Sequence, residues 1–495
     1  MKPRQVIFIM TDSQRWDMVG CYGQNGLKTP NLDDLAREGV RYEQAYTTQP
    51  VCEPARAGIF VGNYPHECGA WANCAALADN AKTLGQRLRD NHACETAYIG
   101  KWHLDGGDYF GLGRAPDGWD PEWWYDMRNY LEELTPEQRV KSRKPETARE
   151  GIPEDFTFGH RVTDRAVDYI EKKRGEDYFL VVSYDEPHHP FLCPEPYASM
   201  YDDYDFPKNP AHFDNLEGKP VHQQVWAGDK RLRDPEALRV HRPDIFGCNT
   251  YIDYEIGRVL KAARENAPDA MIIYTSDHGD FLEEHCLLKK GAAAYDSITH
   301  IPLIIKRPGG LQNAVYREPV SHIDLSPTIM EYFGLPIPKL FSGRSMLKTT
   351  EDLSHHQRDY VFMEFGRFEV DHDTHGGFQP MRCVYDGHYK LVVNLLSTDE
   401  LYDMREDPYE TKNLIDCPET AAIRDRLHDV LLDWMNETRD PFRGYVWETR
   451  PWRRDARKPT WKYTGWTRQR ENEEYEPRQL DYVNGLEMVE KSRPK

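Results

Sequence analysis

The chain has 495 residues, 39% of them hydrophobic, and a formal net charge of −20. That length supports a large core and two domains or subdomains. The acidic balance excludes general nucleic-acid binding, which draws its affinity from clustered Lys and Arg, so an anionic substrate would have to be held by a local knot of cations or a metal.

In chain order, the first predicted strand covers 5–10 and ends at Thr11-Asp12. It follows Met1-Lys2-Pro3-Arg4 and is too short for the core of a secretory leader, so the expected location is cytoplasmic. Helices are predicted over 31–38, opened by Pro30, and over 83–90. Strand 97–99 runs into Gly100-Lys101-Trp102-His103. The polar stretch 116–151, with Trp119, Trp123 and Trp124, is an insertion without an assignable period. A helix over 163–173 precedes strand 178–184, which ends at Asp185-Glu186-Pro187-His188. Strand 271–275 ends at Ser276-Asp277-His278-Gly279, and strand 302–305 follows. Most of these strands are continuous apolar runs, which suits a mostly parallel sheet buried on both faces. Their alternation with helices predicts a doubly wound α/β domain over residues 1–355.

Beyond that point the texture changes. Residues 360–365, 381–384 and 389–395 read as strands joined by turns such as Asp386-Gly387, and 419–436 reads as an amphipathic helix. This predicts a smaller α+β subdomain with an antiparallel sheet over 356–450. Residues 451–495, rich in Trp, Tyr, Arg and Pro, read as an extended arm over the body or a neighbouring subunit, which leaves a homo-oligomer open. No run approaches the ~20 apolar residues that span a bilayer, so no membrane partner is expected. Ten cysteines without a Cys-x-x-Cys pair read as scattered thiols, not a disulfide framework or a zinc site.

In open α/β sheets, ligands bind beyond the carboxyl ends of the strands. Four predicted strands deliver Asp12, Lys101 with His103, Asp185 with His188, and Asp277 with His278 to that edge. Singly these are weak signals, since an Asp after a strand is more often a turn or cap residue. Together they point to a site. Asp12, Asp277 and His278 are candidate metal ligands. Their carboxylates suit calcium or magnesium, and the imidazole leaves manganese or zinc open. Cys52 stands apart from the other cysteines because Pro54 and Arg56 follow it at fixed offsets, with small residues suited to the start of a helix.

Val51-Cys52-Glu53-Pro54-Ala55-Arg56 resembles the Cys-x-Pro-x-Arg signature of the type I sulfatase family. Gly100-Lys101-Trp102-His103-Leu104 resembles the second family signature, and Asp277-His278-Gly279 its metal motif. Pro187-His188-His189-Pro190 looks like its Pro-His-x-Pro element, and Lys290-Gly291 before Tyr295-Asp296 fits its lysine spacing. Further likeness lies in Ser321-His322-Ile323-Asp324 and Glu400-Leu401-Tyr402-Asp403, so the resemblance runs from Gln5 to about Trp452. The run Ser183-Tyr184-Asp185-Glu186-Pro187-His188-His189-Pro190-Phe191 looks like that of leaderless bacterial sulfatases.

The resemblance implies an alkaline-phosphatase-like fold and a sulfuric ester hydrolase. Cys52 would be oxidised to formylglycine by a maturation enzyme, and the aldehyde hydrate would attack sulfur. Asp12, Asp277, His278 and residue 52 would hold a divalent metal, Ca2+ first and Mg2+ or Mn2+ otherwise. Lys101, Lys290 and Arg56 would neutralise developing charge, and His188 with Lys290 would assist the leaving oxygen. His103 would be the base as the second hydroxyl expels sulfate. His189, with Asp371, His372 and His375 from the stretch 367–379, would line the pocket mouth. The expected substrate is a small sulfated sugar or metabolite. Ser13 stands where many sulfatases have a second metal-binding Asp. That departure keeps a phosphonate monoester or phosphodiester hydrolase as one alternative. A non-catalytic anion-binding protein with an unmodified Cys52 is another.

Overall fold

The computed structural model describes residues 2–23, 25–106, 109–370, 372–454 and Gly485. Its larger sheet has the spatial order Glu95–Gly100, Tyr178–Ser183, Gln5–Thr11, Met271–Ser276, Leu303–Lys306, Val40–Tyr42, Ala314–Tyr316. The first four strands are parallel. Leu303–Lys306 instead runs antiparallel to Met271–Ser276, so the sheet is mixed at this edge rather than parallel throughout. The reason lies in the connection. A parallel return needs a long crossover, usually helical, and here one-turn helices at Glu284–Cys286 and Asp296–Thr299 and the two-residue strand His300–Ile301 intervene, with no helix long enough to cross the sheet.

The continuous apolar runs are explained by helices on both faces. Along Gln5–Thr11, Ile7 and Ile9 meet one helical layer while Val6, Phe8 and Met10 meet the other. The first layer comprises Pro30–Glu38, Phe158–Lys172 and Pro243–Asn266. The second comprises Cys52–Val61, Leu84–Asp90 and Leu325–Tyr332. Each fully buried Ile, Val or Phe in these layers contributes roughly 1.5–3 kcal/mol. Pro243–Asn266 is not legible as a helix in the sequence. Its run from Ile245 to Asp253 is buried without a break, so no polar face marks a helical period. The insertion at 116–151 forms the helices Met127–Glu133 and Pro136–Lys141, and its Trp119 packs edge-on against Tyr98 at 5.1 Å.

The second sheet, Val361–Phe365, Met381–Tyr385, Tyr389–Asn394 and Glu400–Asp403, is antiparallel throughout. One face carries helix Ala421–Glu437, whose Leu427, Leu431 and Met435 meet Val384, Leu391 and Val393. On the other face, Met363, Phe365 and Cys383 pack on Tyr46, Val51, Ala292 and Ala294. The smaller sheet thus buttresses the segments just before Cys52 and just after Lys290. The predicted arm 451–495 lies outside the described residues beyond Arg454, Gly485 apart. Among the described residues, no helix is long and apolar enough to cross a membrane.

Candidate active site

Sheet register assembles the site. Met10 pairs with both Ser183 and Thr275, and Ser183 also pairs with Gly100. Asp12, Lys101, Asp185 and Asp277 therefore emerge side by side, one or two residues beyond the ladder. Helix Cys52–Val61 begins at residue 52 itself, after an extended Val51, and aims its positive N-terminal end at this edge. Cys52 Sγ comes to rest 3.2 Å from His278 Nε2, 3.3 Å from Lys290 Nζ and 3.7 Å from Asp12 Oδ1.

Arg56, one turn into the helix and fully buried, ties the strand ends together. Its Nε lies 3.2 Å from Asp277 Oδ2 and its Nη2 3.3 Å from Asp12 Oδ2. Its Nη1 donates to Lys101 O at 2.7 Å and Ser183 Oγ at 2.9 Å. The two lysines differ. Lys101 Nζ is fully engaged, donating to Asp185 Oδ1 at 2.8 Å and the Tyr109 hydroxyl at 2.9 Å and ion-paired with Asp12 Oδ2 at 2.8 Å. Among the described residues, Lys290 Nζ has only Ser13 Oγ and Cys52 Sγ, each at 3.3 Å. It keeps donor capacity to spare.

At the strand ends, Ser13 at φ 63 and His103 at φ 55 sit in the left-handed backbone region that disfavours side chains. At Ser13 this turns the backbone N–H onto Asp277 Oδ1 at 3.1 Å, while its hydroxyl donates to Asp12 Oδ1 at 2.8 Å. His103 is buried with both ring nitrogens lacking a hydrogen-bond partner.

Burial and the Asp12 charge push the Asp277 carboxyl up. For Asp12, the charges of Lys101, His188, Lys290 and His278 overcome burial and hold it well below the usual carboxylate range. Burial, then Asp12, pushes the Cys52 thiol up to about 12 against the pull of Lys290 and Lys101. Burial with the neighbouring Lys101 and Arg56 keeps His103 neutral. These residues fit a divalent cation. Carboxylate oxygens of Asp12 and Asp277, Cys52 Sγ and a His278 ring nitrogen lie within 4.8 Å of one another, all buried. His278 Nδ1 donates to Gly279 O at 2.8 Å, which leaves the Nε2 lone pair as the donor. Two carboxylates repelling each other in a dry pocket are relieved by added positive charge.

The rim is looser. His188 is half-buried, with Nδ1 2.8 Å from His189 O and 3.1 Å from the Tyr109 hydroxyl. His189 is exposed and packs edge-on against Phe191. His375 is half-buried. Its carbonyl accepts from Ala292 N at 3.0 Å, which sets it against the Lys290 loop, and its ring meets Phe368 and Trp226. His372 is exposed and pairs with Glu369 at 2.8 Å. Asp371 lies outside the described residues. Asp185, already placed at this edge by its strand end, and Tyr109, which the sequence does not single out, join the cluster. Tyr109 follows no strand and carries no motif.

A cation-rich pocket with paired carboxylates at the ends of parallel strands, between helical layers and beside a small antiparallel sheet, defines a hydrolase of the alkaline-phosphatase-like class. The phosphonate monoester hydrolase of Agrobacterium radiobacter superposes with a TM-score of 0.73 at 21% identity, over 88% of this chain and 96% of that one, which shows the shared fold. The family model described as Sulfatase matches residues 4–335, and that described as N-sulphoglucosamine sulphohydrolase, C-terminal, matches 283–437. The uncharacterized sulfatase YidJ of Escherichia coli (strain K12) is 44% identical over 98% of this chain and 97% of its own. The N-acetylglucosamine-6-O-sulfatase of Bacteroides thetaiotaomicron is 23% identical over 89% of this chain and 87% of its own. The chain belongs to the sulfatase family and is a sulfuric ester hydrolase.

Proposed function

We propose that this sulfatase cleaves the sulfate monoester of a small sugar or metabolite in the cytoplasm. Its nucleophile would be formylglycine at position 52, made by a maturation enzyme, and Asp12, Asp277, His278 and residue 52 would hold a calcium ion, with magnesium or manganese as alternatives. The position of residue 52 carries this assignment, at the meeting point of Asp12, His278 and Lys290. Without a cation, burial and then Asp12 disfavour a thiolate at position 52. When bound, the cation supplies Lewis-acid stabilisation of a sulfate oxygen and lowers the pKa of a coordinated hydroxyl.

The chain's own residues position and neutralise. Lys290, with donors unspent, meets negative charge on the sulfuryl group and on the bridging oxygen. Arg56 holds Asp12 and Asp277 in line. Lys101 sets the positive potential from a fixed location. His188 assists the departing oxygen as the S–O ester bond breaks, and His103, neutral and unpartnered, accepts a proton from the nucleophile's second hydroxyl. The N-acetylglucosamine-6-O-sulfatase relative supports a sugar sulfate. Catalysis is assigned to residues 1–355, with 356–450 as a supporting subdomain.

Ser13 in place of a second carboxylate, with the phosphonate monoester hydrolase among the fold neighbours, favours a rival ester class. Relative turnover of 4-nitrophenyl sulfate and an aryl phosphonate monoester by native-host enzyme decides between them. Faster phosphonate cleavage reverses the choice. An intact thiol in the residue 52 peptide of that same protein sinks the formylglycine mechanism. Activity should vanish on chelation and return with calcium.

A further inference from the structure

Resting on the mechanism proposed above, we infer that Tyr109 is a positioning residue whose hydroxyl, braced by Asp185, fixes Lys101 and His188 relative to each other. A phenol has one proton and two lone pairs. The proton goes to Asp185 Oδ1 at 2.8 Å. One lone pair accepts from Lys101 Nζ at 2.9 Å, and Lys101 donates in turn to the same Asp185 oxygen at 2.8 Å, closing a triangle. The second lone pair faces His188 Nδ1 at 3.1 Å.

That ring nitrogen also lies 2.8 Å from the His189 carbonyl, which can only accept. Nδ1 therefore carries the hydrogen, shared between the carbonyl and the phenol. Nε2 is left for the substrate side, where it donates to the leaving oxygen once the negative charge of a bound sulfate ester draws a second proton onto the ring. Tyr109 also lies under the Lys101 ammonium, 4.3 Å from ring centroid to Nζ, and meets the His103 ring at 4.9 Å. One side chain from outside every recognised motif thus touches three of the six groups assigned to the chemistry. Asp185 is held down at about 2, because Lys101 and His188 outweigh its burial, so it is a fixed acceptor for the phenol at any working pH.

Tyr109→Phe removes the hydroxyl and keeps the ring against Lys101 and His103. It is to be measured on matured, metal-loaded enzyme with a series of aryl sulfates from 4-nitrophenyl to phenyl, that is, from good to poor leaving groups. Loss of His188 orientation should hurt most where the leaving oxygen most needs help. The expected fall in kcat is about tenfold on 4-nitrophenyl sulfate and about a hundredfold on phenyl sulfate, with KM and the unfolding midpoint nearly unchanged. An equal loss across the series, or none, overturns the inference. Ring nitrogen NMR of His188 needs no turnover. The Nδ1–H tautomer should dominate in the parent and become mixed in Tyr109→Phe, and an Nε2–H tautomer in the parent overturns it as well. Failure of the parent, with residue 52 converted, to cleave any aryl sulfate would count against the proposed mechanism while the tautomer still tests Tyr109.

Discussion

Charge is buried in two parts of this molecule, and the two parts treat it differently. In the smaller subdomain, Arg382 forks onto Asp440 and also donates to Phe365 O and Met381 O. Arg450 forks onto Asp399 at 2.8 and 2.9 Å and donates to Asn394 O. Asp399 takes Trp452 Nε1 and Asn394 N besides. In these sets each buried charge has its counter-charge in a two-pronged pair. At the large sheet's edge the charges are as deeply buried but open. Among the described residues His103 has two unpartnered nitrogens and Lys290 has only long contacts, and Asp277 is pushed up by burial and then by its neighbour Asp12. A closed buried pair fixes structure. An open one stores a demand that a metal and a substrate can meet.

The sharpest way to break this contrast is a matched pair of isosteric changes. Asp277→Asn removes a carboxylate that the fold holds at a disadvantage. Activity should fall on the order of a thousandfold, while the unfolding midpoint stays level or rises as the repulsion from Asp12 is relieved. Asp440→Asn should do the reverse. It strands the buried Arg382 guanidinium without its counter-charge, at a cost of about 3 kcal/mol or more in denaturant unfolding, with kcat of the folded fraction intact. Equal loss of stability in both variants would erase the distinction.

Much of the open site was legible because each strand is an apolar run with an abrupt polar end. Asp12, Lys101 and Asp277 each follow such a run, and Cys52 is marked by its spacing to Pro54 and Arg56. Three strands of the smaller sheet were legible as short apolar runs bounded by turns such as Asp386-Gly387, and its helix by its periodicity. What a sequence carries poorly is the number of partners a charge has already met. Lys101, at a strand end, and Lys290, marked by its spacing before Tyr295-Asp296, look alike as cations in the sequence, yet one is paired to two carboxylates and the other to none. Tyr109 is marked only by its contact with Lys101, and the helix Pro243–Asn266 hides because its stretch from Ile245 to Asp253 is buried without a break and carries no polar stripe.

The closed region makes its own, smaller prediction in acid. His428 is fully buried, with Nε2 donating to Trp447 O at 2.6 Å and Nδ1 accepting from Arg453 at 3.2 Å. Burial drives it down to about 3, aided by Arg453 and opposed by the Trp447 carbonyl. The folded state therefore refuses a proton that the unfolded chain accepts below its ordinary value near 6.5. Its contribution is fully present above that pH and is lost progressively down to about 3, by roughly 1 kcal/mol at a pH one unit below the ordinary value. His428→Gln should flatten this part of the stability–pH curve, and an unchanged slope would show that the titrating group lies elsewhere.

The smallest expected effect tests the contrast at the exposed rim. His372 is a histidine near the pocket mouth, as His103 is one at its floor, but both its nitrogens are engaged, Nε2 with Glu369 at 2.8 Å and Nδ1 with the Thr374 hydroxyl at 3.0 Å. By the open-versus-closed criterion it has nothing to offer substrate. An exposed pair of this kind contributes less than about 1 kcal/mol. His372→Ala should therefore leave stability within about 0.5 kcal/mol and kcat/KM within about twofold, measured on the best sulfated monosaccharide found. A tenfold rise in KM would mean that a satisfied side chain can release its partners for substrate, and partner count alone would no longer separate binding residues from structural ones.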